Sequence, residues 1–426
     1  MTTSTTTAAN PADESSPLVV RSVALDESTP ILELLPRDDS VAWVRRGEGL
    51  VGWGVAAVVR TKGANRFAEA RSWWRAQAGA AVVRDEVRLP GTGLVAFGSF
   101  AFADDPGESV LVVPEVVVGR RGDNTWVTTI GRGSITSPPR VAGTDSPESP
   151  VGVTFVDGAL SGTEWEGVVA EAVRRINAGA LEKVVLARDL VATADGDIDV
   201  RWPLQRLSES YPTCWTFHVD GLFGATPEML VRRERGLVTS RVLAGTIRRT
   251  GHDERDLALA ANLARSSKDL EEHEYAVRSV ADALAPHCTS MNVPEAPFVL
   301  HLPNVMHLAT DVAGVIHEAT DASVSSLELA EALHPSAAVG GTPTDVAKSM
   351  ISEIEGMDRG RYAGPVGWMD ASGDGEWGIA LRSAEVLGRT VRLFAGCGIV
   401  ADSDPEAELA EAQAKFVPVR DAISGS

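Results

Sequence analysis

Between residues 18 and 131 the chain falls into short apolar runs, VAWVRR, GLVGWGVAAVVR, GLVAFGSFAFA, SVLVVPEVVVG and NTWVTTIG, punctuated by glycine and aspartate. Runs of this length, rich in β-branched and aromatic residues and bounded by turn formers, read as strands. One helical pattern, NRFAEARSWWRAQAGA, interrupts them. A stretch rich in Ser, Pro and Gly at 131–152 is the clearest linker in the chain. Beyond it a helix is expected at 163–178, where Trp165, Val168, Val169, Ala172, Val173 and Ile176 form an apolar stripe. LEKVVLARDLVAT reads as a strand and CWTFHVDGLFGATPEMLVRRERGLVTSRVLAGT as three strands with turns. DERDLALAANLARSSKDLEEHEYAVRSVADALAP reads as one long helical region. Later segments are strand-like around 307–315 and helical at 326–333 and 344–355. YAGPVGWMD, GIALRSAEV, VRLFAGCGIV and a final helix over about 404–423 follow. Strand hairpins followed by helices predict an α+β fold.

Composition removes several function classes. Of 426 residues, 39 are Lys or Arg and 59 Asp or Glu, a net charge of −20. That balance argues against nucleic acid, whose recognition needs a basic surface, and against docking on anionic membranes. No apolar run approaches the roughly 20 residues of a spanning helix. Residues 1–17 are Thr/Ser/Ala-rich and predict a disordered tail, with neither the basic nor the apolar region of a secretory leader. Cys214, Cys288 and Cys397 are far apart and odd in number, which fits a reducing compartment. The expectation is a cytoplasmic protein.

Some residues could carry chemistry. In the strand pattern, Lys183, Val185, Ala187 and Asp189 share a face. Desolvation beside Val185 would lower the pKa of a lysine and make it a base; the alternative is a strand-edge lysine whose head snorkels to water. Glu228 ends the turn-rich run GLFGATPE, and burial there would make it a general acid; otherwise it is a solvated strand-end carboxylate. Asp269 and Glu272, and likewise Glu408 and Glu411, lie one helical turn apart, with Lys415 a turn beyond the second pair. Two acid-bearing helices facing one cleft would offer oxygen ligands to Mg²⁺. Equally, Asp269 and Glu272 could form a capping box, and Glu411 and Lys415 a surface pair. GDGEWG at 373–378 matches G-x-G-x-x-G but lies between strand-like segments with two acids inside it, and reads as a hairpin turn. No Walker A, H-E-x-x-H or G-x-S-x-G pattern occurs.

Taken in order, the blocks LEKVVLAR, FGATPEMLV, LAGTIRR, SSKDLEEH, HLATDVAG, LHPSAAVGGTP, YAGPVGW, IALRSAEV and AGCGIVADSDPEAELAEAQAKF closely resemble the chorismate-utilising enzymes. These are the isochorismate, salicylate, anthranilate and aminodeoxychorismate synthases. The matching blocks run from about 181 to 415, whereas the N-terminal part resembles the family only loosely. The resemblance implies two large antiparallel sheets stacked face to face with helices outside. Residues 18–426 would then form a single domain, with 131–152 an excursion within it. Anthranilate-type members resemble a pattern with Gln where this chain has Lys183. Aminodeoxychorismate synthases resemble P-I-K-G-T, with a nucleophilic lysine where Ala244 stands here. Salicylate synthases usually carry Thr at the position of Ala338. What remains resembles the isochorismate type, with salicylate synthase the nearest alternative.

On that likeness Lys183 would activate the water attacking C2 of chorismate, and Glu228 would protonate the departing C4 hydroxyl. Both groups must be uncharged, and burial favours that for each. Mg²⁺ held through Glu272 and Glu411, with Asp269 and Glu408 as further ligands or supports, would meet the ring carboxylate. Arg382, Lys415 and the backbone near Gly396 would receive the enolpyruvyl carboxylate, glycine there allowing N–H groups to approach an anion. Gly245, His307, Ala338 and Val339 would line the substrate. Water as nucleophile implies no amidotransferase subunit, and the chain is expected to act as a monomer.

Overall fold

A computed structural model describes residues 16–134, 141–302, 305–317 and 324–424, with the side chains of Lys268 and Glu272 left out. The expected tail at 1–17 therefore lies almost wholly outside the described residues, as do 135–140 of the Ser/Pro-rich stretch.

The first part runs β1 (Leu18–Ala24), β2 (Ser40–Arg45), β3 (Glu48–Trp53), β4 (Ala57–Thr61), α1 (Arg66–Ala80) and β5 (Val82–Asp85). β6 (Val95–Ser99), β7 (Ser109–Val113), β8 (Val116–Arg121) and β9 (Asn124–Arg132) complete it. After the Ser/Pro-rich stretch come β10 (Thr154–Asp157), α2 (Gly162–Asn177), β11 (Lys183–Thr193) and α3 (Arg201–Ser210). Next are β12 (Trp215–Val219), β13 (Leu222–Thr226), β14 (Met229–Glu234) and β15 (Leu237–Arg248). α4 (Asp253–Leu263), α5 (Ser267–Leu284), β16 (Cys288–Asn292), β17 (Phe298–His301) and β18 (Val305–Ile316) follow. The chain ends with α6 (Ser326–Ala332), β19 (Gly341–Thr342), α7 (Thr344–Ile354), β20 (Pro365–Asp370), β21 (Gly375–Ile379), β22 (Ser383–Leu387), β23 (Thr390–Ile399) and α8 (Pro405–Ser424).

Two large sheets result. One has the strand order β10-β11-β23-β22-β13-β12-β2-β3-β8-β9-β1-β5, with β19 pairing on β11. The other runs β16-β18-β15-β14-β21-β20-β6-β7-β4, with β17 pairing on β18. Both draw strands from either side of the Ser/Pro-rich stretch, and pairing is antiparallel except between β1 and β5.

Period-2 alternation explains the layering. In β2, Val41 and Trp43 point to the layer between the sheets, where they meet Trp126, Trp215, Phe217, Phe97 and Trp368. Ala42 and Val44 point the other way, toward a layer closed by Leu204 and Leu207 of α3 and Phe416 and Val419 of α8. α1, α5 and α6 cover the outer face of the second sheet through Phe67, Val277 and Leu329. Each large apolar side chain fully buried in these layers contributes about 1.5–3 kcal/mol.

Two readings from the pattern need correction. The run 214–246 holds four strands, β12 to β15, not three, because it is divided at three places, 220–221, 227–228 and 235–236, and not only at the expected turn at Pro227. The expected single helix at 253–286 is two, broken at 264–266. The Ser266 side chain accepts the Asp269 N–H and starts α5 afresh, so the N-cap of this helix is Ser266, three residues before Asp269. GDGEWG does sit at the β20–β21 hairpin, its first two residues in the turn and the rest opening β21, with Asp370 accepting from the Ser372 and Asp374 N–H groups.

Candidate active site

Seven of the expected residues border one cavity: Glu228, His307, Ala338, Val339, Arg382, Gly396 and Lys415. Val185, Thr246, Arg359, Tyr362 and Gly398 complete much of its wall. The strands supply the positions. β11 and β23 run side by side through the pair Ala187 and Gly396, so Val185 and the two glycines of AGCGIV face the same space. A side chain at 396 would place its Cβ 3.0 Å from the Leu186 carbonyl and 3.2 Å from the Tyr362 hydroxyl, so glycine keeps the wall open. A wider cleft elsewhere, among Trp43, Arg45, Trp126, Trp215 and Arg232, contains none of the expected residues.

Glu228 sits between β13 and β14 and is 5% exposed. Burial pushes its carboxyl up to about 8, against the opposing pull of Arg382, Lys183 and the Leu243 N–H. It is therefore mostly protonated at neutral pH, the condition for a proton donor. Lys183 opens β11, paired with Thr342 of β19, and is half-buried. It does not border the cavity itself, but its charge acts on both Glu228 and Glu411.

His307 is held neutral. Burial first, then the Arg382 and Lys415 charges, lower its pKa to about 3. Its Nδ1 lies 2.9 Å from the Thr246 hydroxyl, while its buried Nε2 has no hydrogen-bond partner among the described residues. Gly245 forms a β-bulge opposite it, with φ of +76° and a register shift between Ala244 and Thr246. An added Cβ there would come within 3.3 Å of both Asp269 and Leu308, so only glycine suits the position. Arg382 occupies the turn between β21 and β22 with φ of +50°, and its carbonyl accepts the Ala225 N–H.

From the middle of α8, Lys415 donates to Glu411 at 2.7 Å and to the Gly396 carbonyl at 2.8 Å. Burial would raise the Glu411 pKa, but Lys415, followed by Arg382 and Lys183, outweighs it and holds the carboxyl below its usual range. Glu408 accepts from the Ser403 hydroxyl at 2.8 Å. Ligand atoms of Glu408, Glu411 and Cys397 lie within 4.8 Å of one another. The Cys397 thiol is buried, directed at the Glu408 carbonyl and pushed up to about 12, so the hard donors of this group are the two carboxylates. Asp269 stands outside that cluster, against Gly245. The Glu272 side chain lies outside the described residues. Sequence reasoning missed Arg359, Tyr362 and Cys397. The first two sit in the DRGRYAG run, where only a buried arginine in an otherwise turn-like segment could have signalled them.

A sheet sandwich carrying one acid-bearing cavity between β11, β23 and α8 is the architecture of the chorismate-binding enzymes, and the chain belongs to that family. The family model described as "Chorismate binding enzyme" matches residues 24–134 and 143–424. Isochorismate synthase MenF of Bacillus subtilis (strain 168) is 32% identical over 406 residues, 88% of this chain and 85% of that protein. Isochorismate synthase DhbC of the same organism is 42% identical over 264 residues, 59% of this chain and 66% of that protein. Among solved structures, DhbC from Bacillus anthracis superposes with a TM-score of 0.76 at 32% identity, covering 93% of this chain and 99% of that one. No helix among the described residues is long and apolar enough to cross a membrane.

Proposed function

We propose that this chain is an isochorismate synthase, converting chorismate to isochorismate by adding water at C2 and releasing the C4 hydroxyl as water. The observation that carries the reading is Glu228: a buried carboxyl, still protonated near neutral pH, bordering a cavity that Arg382 and Lys415 also border. In this reading Lys183, in its neutral amine form, takes a proton from the attacking water while Glu228 gives one to the departing hydroxyl, so one water enters and one leaves. Each transfer is worth about 10²–10⁴ in rate. Arg382 and Lys415 meet the enolpyruvyl carboxylate of a dianionic substrate, supplying positive charge that a protein of net charge −20 must concentrate locally. His307, held neutral and bordering the cavity, and Gly245, Ala338 and Val339 shape the wall around the ring.

The carboxylates on α8 are hard oxygen donors, which suits Mg²⁺. Glu411 and Glu272 would hold the ion, with Glu408 and Asp269 as further ligands or supports. When bound, Mg²⁺ supplies positive charge for the ring carboxylate. The α8 site is already charge-rich, since Glu411 is kept ionised by Lys415. Water as nucleophile leaves no role for an amidotransferase subunit. Relatives named isochorismate synthase, aligned over most of the chain, support the same reading.

The test is product identity. The protein is incubated with chorismate and Mg²⁺, the products are read by NMR, and pyruvate is followed with a lactate-dehydrogenase couple. Isochorismate with negligible pyruvate is expected. Rapid pyruvate release would assign a salicylate synthase instead, and unchanged chorismate would remove the enzyme reading.

A further inference from the structure

β11 carries Lys183 at its first residue, yet part of one edge has no neighbouring strand. β23 covers one edge from Val184 to Thr193. On the other edge β19 pairs only with Lys183 and Val184, and β10 only with Leu190 through Thr193. Along a strand the N–H and C=O of a residue point to the same side, alternating from residue to residue. Val185 and Ala187 therefore turn four backbone groups into the gap. A buried group left unpaired there would cost about 1–3 kcal/mol.

Side chains and one loop carbonyl fill it. The Val185 N–H donates to the Gly340 carbonyl at 2.8 Å. Arg359 donates to the Val185 carbonyl at 2.7 Å, Glu355 accepts the Ala187 N–H at 2.8 Å, and the Trp165 indole donates to the Ala187 carbonyl at 3.0 Å. Glu355 and Arg359 also bond each other, Nε to Oε1 at 2.7 Å, and Arg359 reaches the Val339 carbonyl at 3.0 Å. They are 1% and 3% exposed.

We infer that Glu355 and Arg359 are a positioning pair that stands in for the missing strand. Together they fix the 183–187 run against the loop carrying Ala338 and Val339, and so set where the Lys183 amine meets the ring. This rests on the reading of Lys183 as base. Arg359 borders the cavity, but four of its five N–H donors are committed to protein oxygens and Glu355 cancels its charge, so it is not an anion anchor for the substrate. Stability alone does not account for the pair, because apolar residues of similar volume commonly do as well as a buried ion pair.

The experiment uses Arg359→Lys and Glu355→Gln in the full chain. Arg359→Lys keeps the charge but cannot span Glu355, Val185 and Val339 together. Steady-state kinetics with chorismate and Mg²⁺ are read beside competitive acetylation of Lys183 by mass spectrometry, with exposed Lys62 as internal reference. A displacement of about 1 Å can cost 10²-fold, so kcat is expected to fall about 10²-fold. KM should stay within about threefold, as for a loss felt in the transition state and not in uniform binding. The Lys183 labelling rate should change relative to Lys62. Arg233→Lys, at a buried ion pair with Asp374 away from the cavity, is the control and should leave both readouts unchanged. A raised KM with unchanged kcat would overturn the inference in favour of direct substrate contact. Unchanged kcat and labelling would reduce the pair to a structural one. If Arg359→Lys does not fold, Glu355→Gln carries the same comparison. If the wild type leaves chorismate untouched, the isochorismate reading fails, while the labelling comparison still decides the positioning claim.

Discussion

The turn between β13 and β14 and the first turns of α8 each bring a glutamate to the same region, and their surroundings drive the two in opposite directions. Glu228 makes no ion pair among the described residues, although Arg382 and Lys415 border the same cavity, so burial dominates and the carboxyl keeps its proton to about pH 8. Glu411 is also largely desolvated, but Lys415 sits 2.7 Å away and holds it ionised. Arg382, Lys183 and Lys415 act on both, but only Glu411 has Lys415 in a direct ion pair, and that short contact separates the two. Residue type therefore does not decide which carboxyl donates protons and which offers negative oxygens; a single ammonium does.

The strongest way to break this contrast is to remove either partner in proton transfer. Lys183→Ala and Glu228→Gln are each expected to lower kcat by about 10²–10⁴, checked by product formation from chorismate. Near-wild-type turnover in Lys183→Ala would end its role as base. The pH profile sharpens the comparison: kcat should fall as pH rises through about 8, where Glu228 gives up its proton, and a profile flat to pH 9.5 would contradict the acid assignment. Lys415→Met should raise the KM for chorismate about tenfold, since the loss of one charged hydrogen bond costs about 1.5–3 kcal/mol. The smallest effect is on stability. Folded Glu228 holds its proton up to about 8, while the unfolded glutamate releases it near 4.5. The native state binds the extra proton between those values, so stability falls as pH rises across that interval and levels off above it. Wild-type Tm should drop by a few degrees, roughly, between pH 6 and 9, and Glu228→Gln should flatten that part of the curve.

Much of the fold was legible because both periods are strong. The alternation in LEKVVLARDLVAT placed Lys183 and Val185 on one face, and Val185 does border the cavity. The final helix at 404–423 was legible from its start, Asp404-Pro405, and the structure begins α8 at Pro405. Glu228 was not legible from its own neighbourhood. A glutamate after a proline turn looks solvated, and Leu243 and Arg382, which border the same cavity, come beside it only once β15 and the β21–β22 turn are in place. The break at Ser266 was hidden because apolar periodicity continues on both sides of it, whereas the cap is a single hydroxyl. Arg359 was hidden for a similar reason: beside Glu355, its partners are backbone atoms from residues 185 and 339, which carry no sequence signal, and an i,i+4 pair alone looks like a surface contact.

The closure of the β11 edge by Trp165, Glu355 and Arg359 has a colloidal consequence as well. Bare strand edges invite pairing with other molecules and seed aggregates. Here the unpaired stretch of an eleven-residue strand is capped by an indole and an ion pair, so neighbouring copies find no backbone template to dock on. Variants that loosen the cap should consequently become sticky in concentrated solution, quite apart from any change in turnover.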